Sequence, residues 1–208
     1  MFYYIFTKKW FITMQDLWFN VQYGINHVLD ISAYDHVLFL IVLTVPYLFK
    51  DGKRVFLLVT IFTIGHTLSL ILSTYGVVNI SKNLVEFLIP ITILIVALFN
   101  IFTSGKSAQK EKIGILFIST LFLGLVHGLG FASEFNLLAG AEDYKLLLLL
   151  EFALGIEIAQ IIIVFIVLFL GYIIQTIFRV TKRNWVIIIS SIVLGLVIPM
   201  LINNPLLK

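Results

Sequence analysis

Apolar residues run along this chain in six long stretches, at about 34–49, 54–75, 84–103, 112–138, 145–178 and 185–202. Short polar breaks separate them: KDGKR (50–54), NISKN (79–83), SGKSAQKEK (104–112), AGAEDYK (139–145) and RVTKRN (179–184). A helix needs about 20 apolar residues to cross the hydrocarbon core of a bilayer, and it satisfies its own backbone hydrogen bonds while doing so. The pattern predicts an all-α membrane protein with six transmembrane helices in one bundle. The first run is short and is expected to begin below the lipid surface; the fifth is long enough to tilt or protrude. Residues 10–31 read differently. Trp10, Phe11, Trp18, Phe19 and Tyr23 alternate there with Gln15, Asp16, Asn20, Gln22 and Asn26, which predicts an interfacial or re-entrant helix with an aromatic belt. The expected organisation is an N-terminal segment, 1–33, ahead of one transmembrane domain, 34–208.

Composition reinforces this. Of the 208 residues 61% are apolar and the mean hydropathy is +1.10, against roughly 45–50% apolar residues in soluble domains. The net charge of +3 is no nucleic-acid signature, because the basic residues fall in short loops. There they set orientation. If the first span runs inward, the inner side holds Lys50, Lys53, Arg54, Lys106, Lys110, Lys112, Arg179, Lys182 and Arg183, and the outer side Lys8, Lys9, Lys82, Lys145 and Lys208. The excess of positive charge inside predicts both termini outside. The chain has no cysteine and only three methionines. That removes disulfides, thiolate metal sites and a Cys nucleophile, and it argues against a soft-ligand Cu(I) pathway.

The chemistry lies in ionisable groups stranded inside the apolar runs: Asp35 and His36, His66, His127 and Glu157. Each costs roughly 2.5–3.5 kcal/mol at a bilayer centre on insertion scales, so five on four separate runs make sense if they converge. At about 1.5 Å per residue, His66, His127 and His36 stand roughly 18, 22 and 21 Å from the inner face, and Glu157 about 18 Å from the outer one. All four fall near the midplane or just outside it. Histidines with carboxylates form a ligand set for a divalent Ni, Co or Zn ion. Asp35, adjacent to His36, either ligates or holds the imidazole's tautomer. Thr63 shares a helix face with His66, and Gln160 with Glu157. Gly124 and Gly128 form a small-xxx-small pattern for close helix approach. Glu86, about 6 Å below the outer surface, and His27 are expected at an outer mouth, with Asn100 on a face similar to that of Glu86.

The stretches GINHVLDISAYDHVLFL, FTIGHTLSL, LVEFLIPITILIVALFN, GLVHGLGFAS and LGIEIAQ, in order over residues 24–160, resemble the HupE/UreJ family of hydrogenase and urease accessory membrane proteins. The resemblance implies a six-helix permease-like fold and movement of nickel or cobalt across the bacterial inner membrane. It also implies, as partners, metalloenzyme-maturation proteins or a second copy of the chain beside the lipid and the metal ion. The family's motif, a His, a five-residue gap and Asp-His, falls on His27, Asp35 and His36, where the gap is seven residues. GHT at 65–67 is similar to a motif of nickel/cobalt permeases. The reading to test is therefore an inner-membrane permease for nickel or cobalt, or for zinc. The alternative is an intramembrane zinc hydrolase in which Asp35 or Glu157 serves as the base.

Overall fold

The computed structural model describes residues 14–104, 113–140 and 144–208, and among these it is helical without a strand. In chain order come α1 (Met14–Leu29), α2 (Asp35–Thr44), a 3-10 turn (Phe49–Asp51), α3 (Gly52–Thr74), α4 (Lys82–Thr103), α5 (Ile113–Ala139), α6 (Lys145–Thr176), α7 (Lys182–Ile202) and a closing 3-10 turn (Pro205–Leu207). Trp10, Phe11 and the basic residues Lys8, Lys9, Lys106, Lys110 and Lys112 lie outside the described residues, as does 141–143 of the fourth polar break.

Among the described residues five helices, α3 to α7, are long and apolar enough to cross a membrane. The expected count of six is not confirmed among the described residues, because the first run yields only the 10-residue α2, about 15 Å long. The cause is Pro46. A helix continuing past it would need a 46 N–H to bond the carbonyl of Val42, and proline has none. The side-chain amide of Asn100 on α4 takes that place, donating to the Val42 carbonyl at 2.7 Å. At the other end of α2 the Asp30 carboxylate accepts from the Ser32 N–H at 2.8 Å, closing a turn between α1 and α2.

For description, the upper end of the bundle carries residues 75–81 and the C terminus. The lower end carries 45–51 and 177–181. The segment expected to be interfacial or re-entrant is, in α1, a packed member of the bundle. Its buried face is Asn20, Val21, Gly24 and Val28, and Trp18 and Phe19 point away. Gly24 meets Gly155 of α6 so closely that a Cβ on Gly24 would collide with the Phe152 carbonyl, and one on Gly155 with the Val21 carbonyl. Asn20 donates to the buried Glu151 carboxylate at 2.7 Å. Its polar side chain thus faces a partner in the interior and not water.

The α3–α5 pair uses the same device. A Cβ on Gly65 would strike the Leu121 carbonyl, one on Gly124 the Phe62 carbonyl, and one on Gly128 the His66 carbonyl and Ser69 hydroxyl. Small residues let helix backbones approach closely where lipid supplies no hydrophobic drive for association. The glycine stripe on α5 therefore sets His66 and His127 on facing helices at one level.

Candidate metal centre

Three imidazoles, from α1, α2 and α3, meet in the upper half of the bundle. One ring nitrogen from each of His27, His36 and His66 lies within 4.8 Å of the others. Ring centroids are 4.6 Å apart for His27–His36 and 5.7 Å for both His27–His66 and His36–His66. His127, from α5, stands beside His36 at 5.5 Å. The surroundings are aromatic on both sides. Phe131 and Phe152 stack at 4.9 Å and cover His27, whose ring is 4.0 Å from that of Phe131. Phe39 and Phe62 stack at 4.6 Å and cover His127. His36, His66 and His127 are 4%, 0% and 1% exposed, so water is excluded from most of the group.

Hydrogen bonding fixes which nitrogens face inward. The Nδ1 of His127 lies 2.9 Å from the Leu123 carbonyl. A carbonyl can only accept, so Nδ1 carries the hydrogen and Nε2 keeps its lone pair. The Nδ1 of His36 lies 3.0 Å from the Asp35 carboxylate, whose Oδ1 also accepts from the His36 backbone N–H at 2.8 Å. Again Nε2 is left with its lone pair. The Nε2 atoms of His27, His36, His66 and His127, and Nδ1 of His66, are buried without a hydrogen-bond partner. A buried polar atom left unsatisfied costs about 1–3 kcal/mol. Core histidines kept only for packing are normally hydrogen-bonded. One nitrogen of each ring can offer a lone pair here, and a set of unpartnered imidazole lone pairs at one place is the kind of donor set that borderline divalent cations take.

A family model described as HupE / UreJ protein matches residues 7–203, nearly the whole chain. The chain belongs to the HupE/UreJ family. No curated protein and no solved structure matches it. With five long apolar helices among the described residues, this HupE/UreJ protein is a membrane protein, and its His27–His36–His66 group could hold a metal ion.

The remaining residues singled out in the sequence fall elsewhere. Asp35 touches His36 and orients it. Glu157, expected among the histidines, lies between α6 and α3, its Oε1 2.6 Å from the Thr60 hydroxyl and its Oε2 in short contact with the Thr63 hydroxyl. Thr63 also lies 2.8 Å from Gln160 Oε1, so Thr63 and Gln160 support the carboxylate and not an imidazole. Asn100 serves α2, as above. Glu86 is 43% exposed and pairs with Lys82 at 3.7 Å. Lys82 in turn reaches Glu134 of α5 at 3.3 Å.

His27, placed at the mouth by its position in the sequence, belongs to both settings. It stands in the histidine group and also lines an upper recess of about 500 Å³ with Tyr23, Asn26, Asp30, Phe131 and Glu134. Sequence reasoning passed over Glu134. Its signal was present in the spacing: it follows His127 by seven residues, two helical turns, on one face of α5.

Proposed function

We propose that this HupE/UreJ protein is a permease for a divalent transition metal, nickel or cobalt first and zinc as the other ion that its ligands suit. The observation that carries the reading is the convergence of four imidazoles, three of them buried, with ring nitrogens of His27, His36 and His66 within 4.8 Å of one another and an unpartnered Nε2 on each ring. Imidazole suits all three metals, and affinity alone does not rank them by use. Cations approach by the upper recess, where the carboxylates of Asp30 and Glu134 raise their local concentration, and pass His27 to the group. The upper end is taken as outside, in a bacterial inner membrane, with the C terminus there. Among the described residues Lys50, Lys53, Arg54, Arg179, Lys182 and Arg183 stand at the lower end, against Lys82, Lys145 and Lys208 at the upper, which agrees with positive charge inside.

The hydrolytic alternative needs a carboxylate free to face a metal-bound water. Asp35 is bonded to His36 and Glu157 to two threonines, so neither carboxylate expected to act as that base is free for it, and the permease reading is preferred. The test is uptake of Ni²⁺, Co²⁺ and Zn²⁺ into proteoliposomes. The wild type is expected to accumulate at least one of them. His36→Ala and His66→Ala are expected to lower that uptake at least about tenfold, the lower bound for disturbing a metal site's ligand shell. Uptake of none of the three under a pH or voltage gradient would contradict the proposal.

A further inference from the structure

Glu157 is a carboxylate inside a span that the histidine group does not use, and no positive charge stands against it. Its two oxygens contact the Thr60 hydroxyl, at 2.6 Å, and the Thr63 hydroxyl. Among the described residues no lysine, arginine or histidine pairs with it; the ion pairs there join His36 to Asp35 and Lys82 to Glu86 and Glu134. A carboxylate without a counter-charge is costly within a span, and such groups pair with one another or mark ion paths. The neighbouring polar groups all offer oxygen. Thr63 Oγ1 lies 2.8 Å from Gln160 Oε1, and Gln160 is 0% exposed with its Nε2 unpartnered. Each hydroxyl also has a second acceptor within reach. The Phe56 carbonyl is 3.1 Å from Thr60 Oγ1, and the Val59 carbonyl 3.2 Å from Thr63 Oγ1.

We infer that Glu157, Thr60, Thr63 and Gln160 form a binding site for a monovalent cation of sodium size between α3 and α6, separate from the histidine group. The side chains have two settings. Without an ion, the two hydroxyls donate to the carboxylate and Gln160 turns its amide to donate to Thr63. Every side-chain contact then has its hydrogen, but the charge on Glu157 is uncompensated. With an ion, each hydroxyl turns its hydrogen to the carbonyl one helical turn back, and Gln160 presents Oε1. Two oxygens of Glu157 and one each of Thr60, Thr63 and Gln160 then offer lone pairs around one point. Only side-chain torsions change between the settings. Such an all-oxygen set suits a hard cation, whereas the imidazoles nearby suit a borderline one. Charge decides the valence. One carboxylate neutralises a monovalent ion, while a divalent ion would leave a net positive charge within the span. Spacing decides the size: oxygens only 2.6 and 2.8 Å apart close around a small ion with less movement than around a large one.

The site does not rest on the permease reading and is tested without a transition metal. The full chain, purified in detergent, is freed of sodium, held at constant ionic strength with N-methylglucamine chloride and titrated with radioactive sodium. The wild type is expected to bind one sodium ion per chain, saturably, and Glu157→Gln to lose that binding. Thr60→Val is expected to weaken it and Thr60→Ser, which keeps the hydroxyl, to restore it; a merely structural threonine would not give that pattern. A melting curve for each variant gives the folded fraction, and binding is read per folded chain. His66→Ala is expected to keep its sodium, because the histidines lie outside the site. Potassium and magnesium are expected to compete more weakly than sodium itself. Absence of saturable sodium binding to the wild type overturns the inference, and so does equal binding by Glu157→Gln. Stronger competition by magnesium than by sodium overturns the monovalent assignment, and loss of sodium in folded His66→Ala overturns the separation of the two sites.

Discussion

At the scale of single residues, the decisive property is which face of each imidazole is free. Asp35 spends its carboxylate on His36 Nδ1 and so presents Nε2 to the group. Such a supporting carboxylate commonly contributes 10–100-fold to metal affinity. Asp35→Asn is therefore expected to weaken Ni²⁺ or Co²⁺ binding roughly 10–100-fold while the protein's thermal unfolding in detergent changes little; titration calorimetry and a melting curve on the same sample check both halves. Asn100 gives the opposite pattern. Its amide satisfies the carbonyl that Pro46 orphans at the end of α2, far from any imidazole contact. Asn100→Leu leaves that buried carbonyl unpaired and is expected to cost about 1–3 kcal/mol of stability, with metal binding retained by the fraction that folds. Denaturant unfolding of wild type and variant reads the difference directly.

At the scale of elements, α1 is what completes the site, and a glycine contact is what holds α1. Gly24 and Gly155 bring the α1 and α6 backbones together. Their crossing sets His27 against Phe131 and Phe152 and within reach of His36 and His66. A side chain at this contact forces the helices apart, at a cost typical of overpacking, about 1–3 kcal/mol. Gly155→Val is expected to lower metal affinity to about the level of His27→Ala, although position 155 bears no ligand. Affinities of the two single variants and of the double variant decide it, since a shared cause makes their effects non-additive. An additive loss would show that α1 position and His27 ligation are independent.

At the scale of the whole molecule, much was legible in the sequence. The five long runs fall within a few residues of α3 to α7, because a span in lipid must be both apolar and long and few other structures are. The HupE/UreJ motifs and three of the four histidines were equally plain, since an ionisable group is conspicuous in an apolar run. Two features were not legible, for physical reasons. The helix of the first run stops ahead of Pro46 and not where its hydropathy does, because a missing N–H is invisible to a hydropathy sum. α1 read as interfacial or re-entrant, with Asn20 and Asn26 on a wet face. Asn20 is in fact buried against Glu151, and such polar pairing inside a bundle shows only when both helices are in place. The same misreading put His27 outside the group it joins; Glu157 was grouped with the histidines on depth alone, and depth does not say which neighbour a side chain faces.

The account stands on four imidazoles converging on one metal ion. X-ray absorption at the nickel or cobalt edge of the loaded, purified protein counts them. One ion per chain with three to four imidazole nitrogens at about 2.0–2.1 Å, the range for histidine bound to zinc-like ions, and with one fewer in His66→Ala, is the expected result. An ion surrounded mainly by carboxylate and water oxygens, with the same spectrum in His66→Ala, would contradict it.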